Sequence, residues 1–342
     1  MSPSGRAIPL AGLLPEQIAE LLAPIPRFRG GQIFHWIHRG AAGFDEMTDL
    51  PADLREHLSR MATILSSRVE LREAAEDGST KIRIRLSDGA AVEAIVLVDG
   101  NARRTACLST QVGCAMRCAF CRTGLMGLRR DLADHEIVEQ FLHAQRETGS
   151  IGNLVFMGMG EPFLNWDNTA HAISVLSHRS GTRMSLRKIT VSSCGIPDGI
   201  RRLAREGPEV KLAVSLVSAI QPKRETLMPV AKGHPLAELK DALVDYQREQ
   251  KRRITLEIVL LAGWTDGRED VEALLGFIPP LSVMVNLIPW NPVAELDFRE
   301  SPSTQVSRFK ARLERAGVPV TERLRKGRGV TGACGQLAVL GE

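Results

Sequence analysis

From about residue 105 onward the chain alternates short apolar runs with longer helical patterns, and this alternation limits its fold more than any other feature. The runs fall at 106–110, 153–157, 188–193, 211–217, 254–261 and 283–288. Helical spacing of apolar residues fills 134–147, 167–178, 197–206, 236–250, 269–277 and 303–316. Strands separated by whole helices cannot close tight hairpins; they pair in parallel, with the helices as crossovers covering the sheet. Six such units predict an α/β fold, a full or partial (βα)6 barrel. Chemistry in such folds sits at the carboxyl ends of the strands. A chain of 342 residues, 44% of them hydrophobic, is long enough for one large core with an appendage.

Ahead of the alternation the period changes twice. Pro15 opens a helical stretch with Ile18, Leu21 and Leu22 on one face; Ile33, Phe34 and Ile37 mark a second, and Leu54 and Leu58 a third after Leu50-Pro51. Residues 1–65 therefore read as a small helical module. Residues 66–104 read as a β-hairpin and linker, because Lys81–Leu86 alternates strictly, Ser87-Asp88-Gly89 turns, and Val92–Leu97 follows. Residues 105–342 form the barrel with a C-terminal loop. No apolar run reaches the length of about 20 residues that a membrane helix needs. The leading MSPSGRAIPLAGLLPEQ lacks a signal-peptide core, so the expectation is a cytoplasmic protein with no membrane partner. Lys plus Arg exceeds Asp plus Glu by 44 to 40. Each of the runs Arg103–Arg104, Arg129–Arg130, Arg201–Arg202, Lys251–Arg252–Arg253 and Arg323/Arg325/Lys326/Arg328 suits a solvated face; together they favour a polyanionic partner.

The chain has six cysteines, which in the cytoplasm serve as ligands or catalysts more often than as structural disulfides. Three of them, Cys114, Cys118 and Cys121, form C-x3-C-x2-C directly after the first barrel strand. Thiolates are soft ligands for iron–sulfur clusters or zinc. Three close thiols can hold three irons of a cubane and leave the fourth open to chelate the amino and carboxylate groups of S-adenosylmethionine (SAM). A zinc site would need a fourth ligand, for which His135 or His143 is the candidate. Gly158-Met159-Gly160-Glu161-Pro162 follows the second strand, where glycines let a ligand approach the backbone and Glu161 supplies an acceptor; a tight turn explains the same residues. Ser192 ends the third strand, Ser215 lies in the fourth, and Asn291 sits in a Pro-flanked loop after the sixth; each is a hydrogen-bonding group or a turn residue.

Several stretches in order resemble the RlmN/Cfr family of radical SAM RNA adenine methyltransferases. They are the cysteine triplet, Val155–Pro162, Ile189–Ser192, Asn286–Pro292 and Gly332–Leu337. The helical start (Gly31-Gln32-Ile33, Trp36-Ile37, Met47–Pro51) and the hairpin (Asp88-Gly89, Val92-Glu93-Ala94) are also similar, so the resemblance covers nearly the whole chain. It implies a radical SAM partial barrel, a [4Fe–4S] cluster on Cys114, Cys118 and Cys121, and SAM contacts at Gly160, Glu161, Ser192, Ser215, Leu216, Val217 and Asn291. It also implies that Cys334 receives a methyl group from one SAM. A radical derived from a second SAM then abstracts hydrogen from that methyl, and the resulting carbon adds to adenine. Glu93 stands at the family's proton acceptor, and Cys107 at the thiol that releases the product as a transient disulfide. This route suits a ring carbon that is not nucleophilic. The implied partners are RNA (ribosomal, with transfer RNA as a further substrate) and an electron-donating reductant. Cys194 has no counterpart and reads as structural. Val217 stands where commoner members have His, Gly329 where an Asp is expected, and Arg122 where a small residue is common. Methylation at C2 of adenine is the leading expectation, with C8 as the rival and a non-catalytic zinc-bound RNA-binding module as the alternative of another class.

Overall fold

The computed structural model describes residues 7–323 and 327–339. The first six residues of the leading segment, and Arg325 and Lys326 of the basic run, lie outside the described residues. One ten-stranded sheet organises the molecule. Its strands are β1 Arg68–Ala74, β2 Thr80–Arg85, β3 Ala91–Val98, β4 Arg104–Cys107, β5 Asn153–Phe156, β6 Ile189–Ser193, β7 Lys211–Ser215, β8 Ile254–Leu260, β9 Val283–Pro289 and β10 Val320–Glu322. They lie side by side in chain order, from β1 at one edge to β10 at the other. Strands β4 to β10 are mutually parallel, while β1 to β3 form an antiparallel meander that joins β4. Among the described residues no pairing joins the first strand of this order to the last, so the parallel strands form an open, partial barrel.

The strand predicted at 106–110 begins two residues and ends three residues earlier, that at 211–217 ends two residues earlier, and the other four agree within one residue; the edge strand β10 was not expected. The meander is not a separate unit, however. Ile95 pairs with Cys107 and Val98 with Arg104, so the boundary expected at residue 105 is a hydrogen-bonded seam within the sheet. Helices Asp134–Thr148, Trp166–Ser177, Pro197–Glu206, Leu236–Gln250, Arg268–Phe277 and Ser303–Arg315 connect the parallel strands, as the period of their apolar residues requires. A further helix, Gln221–Leu227, lies between β7 and β8 and was not expected.

The N-terminal helices Pro15–Leu21, Phe28–Arg39 and Ala52–Met61 form the predicted module. It docks on the loop that precedes β6. There the Phe34 ring meets His178 edge-on at 5.1 Å, and His38 Nδ1 lies 2.9 Å from Thr182 Oγ1. The link from this module to β1 is held by the buried Glu139, whose carboxylate accepts the backbone N–H groups of Ser66 and Ser67 at 2.7 and 2.8 Å. Burial, with His178 and His35 close by, pushes His38 down to about 3; burial and the nearby Arg146 push His143 down to about 4.

Both histidines are therefore neutral in the folded state at pH values where the unfolded chain is protonated. Each should remove about 1.4 kcal/mol of stability per pH unit as the pH falls below about 6.5. The loss should continue to about pH 4 for His143 and about pH 3 for His38. Urea unfolding across this range should show a shallower decline for His38→Asn than for the parent protein; equal slopes would exclude His38 as a contributor.

Candidate active site at the mouth of the barrel

Immediately after β4 the chain makes a short ribbon in which Gln111–Gly113 pairs with Leu128–Asp131. This ribbon brackets the cysteine loop. Backbone bonds fix the loop from several sides: Cys114 N–H to Gly127 O at 2.9 Å, Cys121 N–H to Cys118 O at 3.1 Å, and Ala119 N–H to Leu227 O at 2.8 Å. Cys114, Cys118 and Cys121 all line one cavity at the carboxyl end of the parallel strands. Burial pushes the Cys114 thiol up to about 11 and that of Cys118 well above its ordinary value, and the crowding of the other thiols and Glu161 adds to both. The expected zinc partners are elsewhere. His135 lies 3.6 Å from Asp134 at the start of its helix, and His143 Nε2 is 3.1 Å from Ser67 Oγ. Neither lines this cavity.

Gly160 has φ +104°, and a Cβ there would come within 2.6 Å of the Gln111 side chain, so the turn after β5 requires glycine. Next to it Glu161 is buried, with its N–H on Gln111 Oε1 at 2.9 Å. Its carboxylate accepts the N–H of Cys194 at 2.8 Å and that of Phe163 at 3.1 Å. Burial raises its pKa, and these same hydrogen bonds oppose the rise. Ser192 and Ser215 line the cavity at the ends of β6 and β7. Leu216 and Val217 are buried and do not line it. Val217 takes a left-handed φ of +61° and gives its N–H to Glu257 O at 3.2 Å, so at this position the backbone, and not the side chain, shapes the strand end. Asn291 is buried too, and its Nδ2 donates to Cys334 O at 3.2 Å.

Residues 327–339 cross the mouth. Arg122 N–H donates to Gly335 O at 2.8 Å, Thr123 Oγ1 to Leu337 O at 2.5 Å, and Gln336 Nε2 to Pro292 O at 2.8 Å. This places Cys334 on the same cavity as Cys107 and the cysteine triplet. Cys107 is buried and its thiol is pushed up to about 12 by that burial, with Arg323 opposing and Cys334 adding. Cys334 is an exposed residue at the rim; burial of its thiol raises it, again with Arg323 opposing and Glu257 and Cys121 adding. Glu93 does not line the cavity. It is 1% exposed, and its Oε2 accepts the N–H of Ala338 at 3.0 Å. Lys81 Nζ and Arg83 Nη2 each lie 3.5 Å from its Oε1. Cys194, read as structural, also lines the cavity, and two charged lining residues had no expected role. Glu257 is buried with Oε2 on Asn286 Nδ2 at 2.9 Å, and Arg323 was seen only as part of a basic run. The single carboxylate inside the apolar run 254–261 was the available signal for the first.

Residues 108–278 match the radical SAM superfamily, and residues 9–64 match the ribosomal RNA large subunit methyltransferase N-terminal domain. A probable dual-specificity RNA methyltransferase RlmN of Treponema pallidum is 46% identical over 96% of both chains. The dual-specificity RNA methyltransferase RlmN 2 of Myxococcus xanthus is 42% identical over 92% of this chain and 85% of its own. A crystal structure of a radical SAM methyltransferase from Sphaerobacter thermophilus superposes with a TM-score of 0.93 at 38% identity, covering 96% of this chain and 99% of the other.

The chain belongs to the RlmN family of radical SAM enzymes.

Its cofactors are accordingly a [4Fe–4S] cluster and SAM. The RlmN site described here fits them: three soft donors face one cavity, and the buried acceptor Glu161 and two serines lie on its strand-end side. Anaerobic reconstitution should load about four irons per chain. Cys114→Ala, Cys118→Ala and Cys121→Ala should each prevent this, whereas Cys194→Ala should not. Glu161→Gln should keep the iron and weaken SAM binding by about tenfold or more in calorimetry, the loss of a charged hydrogen-bond acceptor. Unchanged affinity would remove Glu161 from the SAM site.

Proposed function

We propose that this enzyme methylates C2 of an adenine in RNA, with Cys334 as methyl carrier, Cys107 as the releasing thiol and Glu93 as the proton acceptor. The observation that carries this reading is the meeting of Cys107 and Cys334, from opposite ends of the barrel sequence, on the cavity that the cysteine triplet lines. An enzyme that passed a methyl group directly from SAM to its substrate would need neither thiol. The bound cluster and SAM supply a radical able to abstract hydrogen from a methyl group, together with the methyl itself.

The chain's own residues then divide the remaining work. Cys114, Cys118 and Cys121 hold the cluster; Gly160, Glu161, Ser192 and Ser215 line the SAM side, with Leu216 and Val217 shaping the strand end behind them. Asn291 steadies the Cys334 carbonyl, so the methyl-bearing sulfur stands where the rim is open to a base. Glu93 is masked by Ala338 and lies between the cations Lys81 and Arg83. The C-terminal segment must therefore shift before that carboxylate can receive a ring proton. Cys107 attacks the Cys334 sulfur, freeing the base and leaving a disulfide, which an external electron donor returns to two thiols.

An adenine edge is reachable only when the base is unstacked. The helical module and the meander β1–β3, next to the mouth in the sheet order, are the surfaces proposed to grip the RNA, through Arg and Lys on its phosphates. The relatives' description as dual-specificity RNA methyltransferases supports an RNA substrate and a second RNA beside the ribosomal one. Among the described residues no helix is long and apolar enough to cross a membrane.

Purified protein should carry one extra methyl group on the peptide containing Cys334. Cys334→Ala should abolish RNA methylation and keep the cluster. Cys107→Ala should still be methylated and should accumulate as a covalent protein–RNA species that survives denaturation; normal turnover by this variant would refute the assignment. Mass spectrometry of the digested RNA should find 2-methyladenosine, and 8-methyladenosine in its place would overturn the choice of carbon.

A further inference from the structure

Arg224 lies in the helix Gln221–Leu227 and is completely buried. Its Nε donates to Leu216 O at 3.2 Å and its Nη2 to Cys194 O at 2.6 Å. These carbonyls follow β7 and β6, directly beyond Ser215 and close to Ser192, so one guanidinium ties together the two strand ends that carry the cavity's serines. The tie is built in. Gly195 has φ +94°, and a Cβ there would sit 2.9 Å from Nη2. The last residue of the same helix, Leu227, accepts the N–H of Ala119 in the cysteine loop at 2.8 Å.

What this tie does not explain is the charge. Nη1 is buried with no hydrogen-bond partner among the described residues, and no carboxylate forms an ion pair with Arg224 among them. The ionisable side chains that feel its charge are Cys194 and the cluster cysteine Cys118. A buried, unneutralised guanidinium is expensive, and Arg, unlike Lys, cannot escape by losing its proton. Two hydrogen bonds to carbonyls could be made by a neutral side chain.

We propose that Arg224 is the fixed counter-charge of the iron–sulfur centre and the positioning residue for the strand ends on its SAM side. A cluster held by three thiolates is net negative, and one-electron reduction adds another negative charge. A cation fixed nearby in a medium of low dielectric stabilises the reduced form more than the oxidised form and so raises the reduction potential. The inference rests on the cluster assignment made above.

The test compares wild-type enzyme with Arg224→Met, which removes the charge, and Arg224→Lys, which keeps it and loses the fork. Wild-type protein that takes up no cluster would refute the cluster assignment itself. With iron loaded equally, redox titration in the presence of SAM should place the midpoint of Arg224→Met at a more negative potential than wild type, with Arg224→Lys near wild type. SAM affinity should fall in both variants, because both lose the bonds to Leu216 and Cys194. A midpoint unchanged in Arg224→Met would overturn the counter-charge. Should Arg224→Met resist loading, melting temperatures of the Arg224→Lys and wild-type proteins with and without cluster decide instead. Equal gains on loading support a role for the charge, and a gain abolished by Lys shows that only the fork matters and overturns it.

Discussion

The parallel register of β4 to β9 is the constraint on which the rest of the molecule depends. Strands in parallel point all their carboxyl ends to one rim, so residues separated by most of the chain arrive at one place without any long-range side-chain recognition. The rim is also where backbone N–H and C=O groups leave the ladder, and the chain spends buried polar side chains on satisfying them. Glu161 accepts two N–H groups, from Phe163 and Cys194. Ser109 Oγ receives the N–H of Met159 and donates to Glu93 O, and Gln140 exchanges bonds with the Ser109 backbone. A buried polar group that makes such bonds stiffens the rim, whereas the same group left unpaired would destabilise it. The cavity thus keeps its shape because its polar lining is held from behind.

The C-terminal segment is attached in a different way. Among the described residues it adds no strand to the sheet beyond β10; it is held by hydrogen bonds to Asp77, Lys81, Glu93, Arg122, Thr123, Asn291 and Pro292 and by burial of Val330, Ala333, Leu337 and Ala338. Bonds of this kind contribute about 1 kcal/mol each and can be exchanged one at a time. Such a mounting suits the residue proposed to face SAM, then a nucleobase, then a second thiol. Cys107, by contrast, sits at the end of a strand paired on both sides. The sheet fixes one sulfur and the C-terminal segment carries the other.

The parts of this arrangement that local sequence encodes were legible, and those that depend on distant contacts were not. Apolar period alone located six of the seven parallel strands to within three residues, because a strand buried on both faces has few alternatives. The cysteine spacing identified the loop, because ligands for one centre must be close in sequence when they share a loop. The ribbon Gln111–Gly113 with Leu128–Asp131 was missed: three- and four-residue strands are too short to show a period. The seam between Ile95 and Cys107 was missed because antiparallel pairing across a turn-rich linker leaves no mark in either strand. The burial of Glu93 and its bond to the distant Ala338 were not visible in the alternation of its strand. Arg224 gave no signal in a short helix rich in polar residues, since its partners lie at the ends of two other strands.

The two thiols also differ in a way that bears on the order of events in the proposed cycle. Arg323 favours the thiolate of each, and burial opposes it at each, but Cys107 is closed in while Cys334 keeps contact with water. The sulfur at the rim is the one proposed to take the methyl group from SAM. Cys107, pushed up to about 12 by burial, is a poorly nucleophilic thiol, which suits the later role proposed for it. In the proposed cycle methylation would remove the ionisable thiol of Cys334 and leave Glu257 and Cys107 as the acidic neighbours of Arg323. The guanidinium would then favour the Cys107 thiolate with one competitor fewer, at the stage where that sulfur is proposed to attack.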